Sequence, residues 1–258
     1  MFRSSTLAGL LAGALFCAPV LADVSVQVFY PASAQGDAMA ATIALPGQPR
    51  LADLLDKLTL TSAPDWRASR ISTPAADAKM QQLQQQVLAA LNDVMLSAER
   101  AHTPEQAYNA RLLLQLIARL PVAGRVATEL DPDWVRIRRE LNPRLEGRYT
   151  LWLQPRQPLL QIIGLINGAE TVALEPGRGV ADYLAERDWF MGAEERAVYL
   201  CQPDGQISRL PVESWSTLRR EPMPGATLLI GLDERQLPAA YHALNHQIAT
   251  LLAARIAS

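Results

Sequence analysis

The chain is poor in the side chains that build metal, redox and nucleophilic sites: two cysteines and three histidines among 258 residues. Cys17 falls in an N-terminal apolar segment, so Cys201 has no partner for an internal disulfide, and the fold must rest on its core. Cys201 sits in the apolar run "AVYLCQ" with no histidine near it in sequence, which reads as a small buried strand residue rather than a nucleophile. His242 and His246 stand four apart in "HALNH", but the adjacent glutamate of a zinc protease and a third ligand are both missing. There is no GxSxG, no phosphate-cradling glycine loop and no Cys pair for a metal. No catalytic residue, metal or cofactor is therefore expected. Charge is also sparse. Against a formal net charge of −2 there is no Lys/Arg run, which excludes electrostatic binding to nucleic acid or to an anionic membrane surface. No apolar run approaches the roughly 20 residues of a membrane span, so direct membrane insertion is not expected.

What is present begins with a processing signal. "MFRSSTLAGLLAGALFCAPVLADVSV" has an early positive charge at Arg3, an apolar stretch from Leu7 to Cys17, a breaker at Pro19 and small residues before an expected cut after Ala22. Residues 1–22 read as a secretory signal peptide, and the mature chain as an exported periplasmic protein. Phe16 stands where lipid modification of Cys17 would need a small residue. Removing Arg3 takes the formal charge from −2 to −3.

The mature sequence repeats itself. "VSVQVFYP" alternates as a half-buried strand does, "MAATIALPG" reads as a second strand, and "LADLLDKLTL" as a short helix. "PLLQIIGLING", "ETVALEPG" and "RGVADYLAER" give the same series downstream, and the joints "LPGQPRLADLL" and "EPGRGVADYL" match with an offset of one residue. A weaker echo links "NPRLEGRYTLWL" to "EPMPGATLLIGL". Self-similarity of this kind marks a duplicated unit. The fold class expected is α+β, two tandem β-grasp (ubiquitin-like) domains over residues 23–153 and 154–232.

A helical hairpin interrupts the first domain over about residues 64–123. Met80, Leu83, Val87, Leu91, Val94 and Ala98 follow the spacing of one buried helical face. "TPEQ" opens the second arm with Thr103 as cap, Pro104 in the first turn and Gln106 reaching back. Tyr108, Leu112, Leu116 and Leu120 form its expected buried side. Gly124 sits where a helix ends on a left-handed residue, and a strand-like piece follows as far as "DPD". A C-terminal amphipathic helix is expected over residues 236–258, with Leu237, Tyr241, Leu244, Ile248, Leu251, Arg255 and Ile256 on one stripe; it either packs on the second domain or docks a partner through Tyr241, Leu244 and Ile248.

Few residues offer a ligand anything. Arg125 follows the hairpin directly, either held by a carboxylate of Glu129, Asp131 or Asp133, or facing a ligand. Asp131 and Asp133 are close together, but Asp and Pro are also turn formers, and paired carboxylates are acids only when both face a substrate. Of five tryptophans, Trp134 and Trp152 read as strand residues, and Trp66, in "APDWRAS", as the one most exposed to stack on a sugar.

The series "GRVATELDPDWVRI", "NPRLEGRYTLWL", "RQPLLQIIGLING", "GRGVADYL", "PDGQ", "PVESW" and "LPAAYHALNHQI" resembles, in order and over essentially the whole mature chain, the GfcC family of periplasmic proteins encoded with group 4 (O-antigen) capsule operons. The resemblance implies tandem β-grasp domains like the SLBB-like domains of the Wza-type outer-membrane polysaccharide exporter, without a lipid anchor. By motif position it implies that Arg125 lies in a deep cavity of the hairpin-bearing domain and contacts a ligand such as a glycan; Asp131, Asp133 and Trp66, read from the residues themselves, are further ligand candidates. The implied function is that of a non-catalytic accessory protein for capsular or exopolysaccharide secretion. Its implied partners are the polysaccharide, or an outer-membrane polysaccharide exporter with its associated secretion proteins. One alternative is an assembly factor that docks the exporter and has no affinity for glycan; another is a glycan-modifying enzyme with Asp131 and Asp133 as its acids.

Overall fold

A computed structural model describes residues 23–30, 39–167, 170–185, 187–211 and 220–256. The expected signal peptide, the first hairpin's loop at 31–38 and Trp215 lie outside the described residues. No helix among the described residues is long and apolar enough to cross a membrane.

The fold is mixed α+β, built on two mixed sheets. Strands β1 (Val24–Tyr30), β2 (Met39–Leu45), β3 (Arg70–Ser72) and β4 (Arg148–Trp152) form the first, in the order β2-β1-β4-β3. Its outer pairs are antiparallel, and β1 runs parallel to β4. The second sheet holds β5 (Leu159–Gly164), β6 (Glu170–Ala173), β7 (Ala197–Cys201), β8 (Ile207–Pro211) and β9 (Thr227–Ile230), in the order β6-β5-β9-β7-β8. Here too the hairpin's inner strand, β5, pairs in parallel with the closing strand, β9.

The repeated joints fold alike. Gly47 and Gly177 turn the chain at φ of +76° and +80°, backbone angles that glycine adopts without Cβ strain. Four and three residues later, respectively, the helices α1 (Leu51–Leu55) and α5 (Val180–Leu184) begin. In each helix an aspartate at the third position accepts from the N–H of the residue preceding the helix: Arg50 N to Asp53 at 2.7 Å, and Gly179 N to Asp182 at 2.8 Å. Leu51, Leu54 and Leu55 in one helix, and Val180, Tyr183 and Leu184 in the other, are buried at helical spacing.

The hairpin departs from the expected bounds. Strand β3 occupies part of the span assigned to it, and the helices are α2 (Pro74–Arg100) and α3 (Pro104–Ala118). On α2 the expected residues Val87, Leu91, Val94 and Ala98 are buried, with Met80 and Leu83 packed partly against the core. On α3 the face is rotated: Ala107, Ala110, Leu113 and Ile117 are buried, whereas Tyr108 is 53% exposed. The run "LLLQLI" is apolar nearly all round, so periodicity alone does not choose the face; small residues at 107 and 110 permit close approach of the helices. Nor does Thr103 cap α3, because its hydroxyl donates to Ala98 O at 3.1 Å and lies 3.3 Å from the Gln106 side-chain amide.

Although the chain inserts the hairpin between strands of the first sheet, its apolar face belongs to the other core. Val87, Leu91, Val94, Leu113 and Ile117 share one buried cluster with Ile162, Leu200 and Leu228 of the second sheet, while the first sheet keeps its own cluster around Val26, Leu54 and Leu151. Polar ties reinforce the docking: Asn109 donates to Met191 O at 2.8 Å, Gln106 to Gln236 O at 3.1 Å, and the Tyr241 hydroxyl to Asp93 at 3.1 Å. Gln84 donates to the carbonyls of Ile117 and Leu120, both at 2.8 Å, satisfying the end of α3 from α2.

The last helix, α6 (Leu244–Ala253), is shorter than the expected 236–258, and Tyr241 lies before it in a separate 3₁₀ turn, Ala239–Tyr241. Leu244 and Ile248 are buried in the second cluster. This corrects their assignment to a docking face: they meet this chain's own core, and only Tyr241 stays part-exposed.

Candidate ligand recess between the two sheets

The hairpin's exit strand, the end of α6 and the turn after β7 converge where the two sheets meet. Ala123 N donates to Ala254 O at 3.1 Å and Ile256 N to Pro121 O at 3.0 Å, so the C-terminal residues lie against the exit strand as a short antiparallel pair. Val126 N then donates to Ile71 O at 2.8 Å, returning the chain beside β3. The expected strand after the hairpin is reduced to this short exit strand, bridged to Arg255 at Val122 and bonded to Ile71 at Val126, and runs on to Asp131 without further pairing among the described residues.

Gly124 is required here for a reason other than the one expected. It is not among the residues with positive φ, and α3 has already ended at Ala118. A Cβ at position 124 would lie 2.4 Å from the Ala76 carbonyl carbon, and Gly124 N donates to Asp77 Oδ1 at 2.8 Å. Glycine lets the exit strand touch the first turn of α2. Gly124→Ala is expected to cost about 2 kcal/mol through this overlap, measured as a fall in the urea midpoint.

Arg125 bridges the two halves. It donates to Ser69 O at 3.1 Å and to Pro203 O at 2.7 Å, and its stem lies against Gly205 of the "PDGQ" turn. Burial lowers its pKa, which the nearby Asp204 partly offsets. None of its expected carboxylate partners holds it among the described residues. Glu129 accepts from the N–H groups of Leu130 and Asp131, both at 2.9 Å, and Asp131 caps α4 (Pro132–Ile137) by accepting from Asp133 N at 3.0 Å. Asp133 is exposed, 3.8 Å from Arg136. The two aspartates thus serve a helix start, the role their turn chemistry favours. The tryptophans also exchange places: Trp66 is half-buried against the first core, whereas Trp134 lies on α4, not on a strand, and is 47% exposed under the Arg138 guanidinium. Trp152 is a strand residue as expected, stacked on Phe29 at 4.0 Å.

The recess itself, a cavity of about 60 Å³, is lined by two other arginines, Arg70 and Arg255. Arg70, on β3, is 4% exposed; it donates to Ala253 O at 3.0 Å and Ala123 O at 3.4 Å, and its Nε has no partner. Burial first, then the Arg125 and Arg255 guanidiniums, push its pKa down to about 9. Arg255 is likewise lowered by burial, and its side chain meets Gln161. Nothing local in the sequence marks this pair, because its members stand near opposite ends of the mature chain; the only hint was Arg255 on the apolar stripe of the last helix.

Cys201 also lines the recess. Burial pushes its thiol up to about 12, with Arg255 pulling weakly the other way. The native protein should therefore resist iodoacetamide at pH 8 and be alkylated once unfolded in urea, as read by mass spectrometry. Among the described residues no group of three or more His, Cys, Asp and Glu side chains can hold a metal ion.

Two mixed sheets of one repeated plan, with a polar cationic recess between them, define a two-part α+β protein. The description "Capsule biosynthesis GfcC, N-terminal" matches residues 22–156, and "Capsule biosynthesis GfcC C-terminal" matches residues 168–257. The chain therefore belongs to the GfcC capsule biosynthesis family. It is also 34% identical over 240 residues to the uncharacterized protein YjbG of Escherichia coli (strain K12), covering 92% of each chain.

Proposed function

We propose that this protein is a non-catalytic periplasmic accessory factor for capsular or exopolysaccharide secretion, and that it binds the polysaccharide at the recess between its sheets. Family membership ties the chain to capsule biosynthesis. The observation that carries the binding role is the recess, where the buried guanidinium of Arg70 and the half-buried one of Arg255 stand among amide side chains, Gln154, Gln157 and Gln202, that suit sugar hydroxyls and charged substituents. In this reading the sheets are tandem β-grasp domains, the duplicated plan supporting it, and the first 22 residues direct export.

A second reading makes the protein a docking factor for an outer-membrane exporter. It draws on a groove of about 270 Å³ between α3 and β5, lined by Tyr108, Leu112, Leu116, Ile163 and Phe190. Titration of the purified protein with the secreted polymer separates the two. Amide shifts clustered at Gly124, Arg125 and Ala254 support glycan binding, whereas an unchanged spectrum refutes it.

A further inference from the structure

The recess, about 60 Å³, is narrow and opens to the surface, a shape that suits a planar or tetrahedral substituent. No carboxylate lines the cavity, so the positive charge of its walls is unbalanced by any side chain there. Among the described residues Arg70 and Arg255 form no salt bridge: the partners of Arg70 are main-chain carbonyls, and the partner of Arg255 is the neutral amide of Gln161. The carbonyl of Ala253 at the end of α6 offers Arg70 a partial negative charge, less than a full one. Buried cations are ordinarily paired, and here the place for the counter-charge is an open cavity.

We infer that the recess is an anion site, in which Arg70 and Arg255 hold one carboxylate or phosphate group carried by the polysaccharide. This deepens the polysaccharide reading and rests on it for the source of the anion. The guanidinium fork matches either group through charge-assisted hydrogen bonds, and Gln154, Gln157, Gln202 and Thr227 supply neutral polar contacts at the walls. An acidic polymer would thus be gripped by its charged substituent while its backbone runs across the junction of the sheets.

The test uses the full mature chain at constant ionic strength, since free salt screens exposed charges. Thermal unfolding is followed with added chloride, inorganic phosphate, glucuronate or glucose. Phosphate, glucuronate or both should raise Tm saturably, and chloride and glucose should not. A response to glucuronate alone identifies a uronate-type carboxylate, and a response to phosphate alone a phosphorylated polymer. Arg255→Gln, at a position only half-buried, should leave the ligand-free Tm unchanged or higher and weaken anion binding about tenfold. The absence of any saturable response, an equal response to glucose, or an Arg255→Gln variant that loses ligand-free stability but keeps the wild-type response would each overturn the inference. If secreted polymer still binds while simple anions have no effect, only the anion site falls. If simple anions bind and no polymer does, the polysaccharide reading falls and the site stands.

Discussion

Leu91→Ala should lower stability by about 3 kcal/mol, and hence Tm by roughly 9 °C. Leu91 lies at the centre of α2 with no exposed surface, in the cluster that includes Ile162 and Leu228 of the second sheet. Truncation removes buried methyls and leaves a cavity that two helices and a sheet cannot all close. Leu91→Met, which nearly conserves volume, should cost less than about 1.5 kcal/mol. Gln85→Ala, on the exposed face of the same helix, should change stability by no more than about 0.5 kcal/mol. Equal effects from Leu91→Ala and Gln85→Ala would mean that the hairpin stands free of the second sheet.

A comparable loss, about 3 kcal/mol, is expected for Asn245→Leu. Asn245 is fully buried at the start of α6, where its Oδ1 accepts from Leu232 N at 2.9 Å and its Nδ2 donates to Leu232 O at 2.7 Å. Leucine fills similar space but leaves a buried N–H and a buried carbonyl without partners, and each costs about 1–3 kcal/mol. The fit is tight from the other side as well. A Cβ on Gly231 would lie 2.2 Å from Asn245 Oδ1, so glycine at 231 and asparagine at 245 form one joint. Because α6 leads into Ala254 and Arg255, this joint also sets the wall of the recess. Asn245→Asp, which turns a carboxylate toward Leu232 O and Glu234, should cost at least as much as Asn245→Leu in chemical denaturation at pH 7.

The repeated plan was legible in the sequence because its devices are local. Pro-Gly, then an aspartate at the third helical position, fixes a turn and a helix start within a few residues, and both copies fold as read. The stripe on α2 was legible for the same reason, since its opposite face is rich in glutamine and the contrast is strong. On α3 the contrast is weak, and tertiary packing chose Ala107 and Ala110 over Tyr108. Gly124 was rightly singled out but for the wrong physics: its lack of a side chain matters against Ala76, a residue far back in the chain, which no local pattern reveals.

The recess was the least legible feature. Arg125 is tied to main-chain carbonyls of both halves, while the cations that line the cavity are Arg70 and Arg255, brought together only when the C-terminal residues lie along the hairpin's exit strand. For Leu244 and Ile248 the sequence left packing on the second domain and docking to a partner both open, because an apolar helical stripe looks the same whether a partner or the chain's own core covers it, and the core covers it here.

The role proposed for the protein is tested most directly by deleting its gene and measuring polysaccharide in two places, inside the cell envelope and on the cell surface. An accessory factor in secretion predicts polymer of unaltered sugar composition made in undiminished amount, with markedly less displayed at the surface. Unchanged surface display, or a polymer of altered composition, would contradict it.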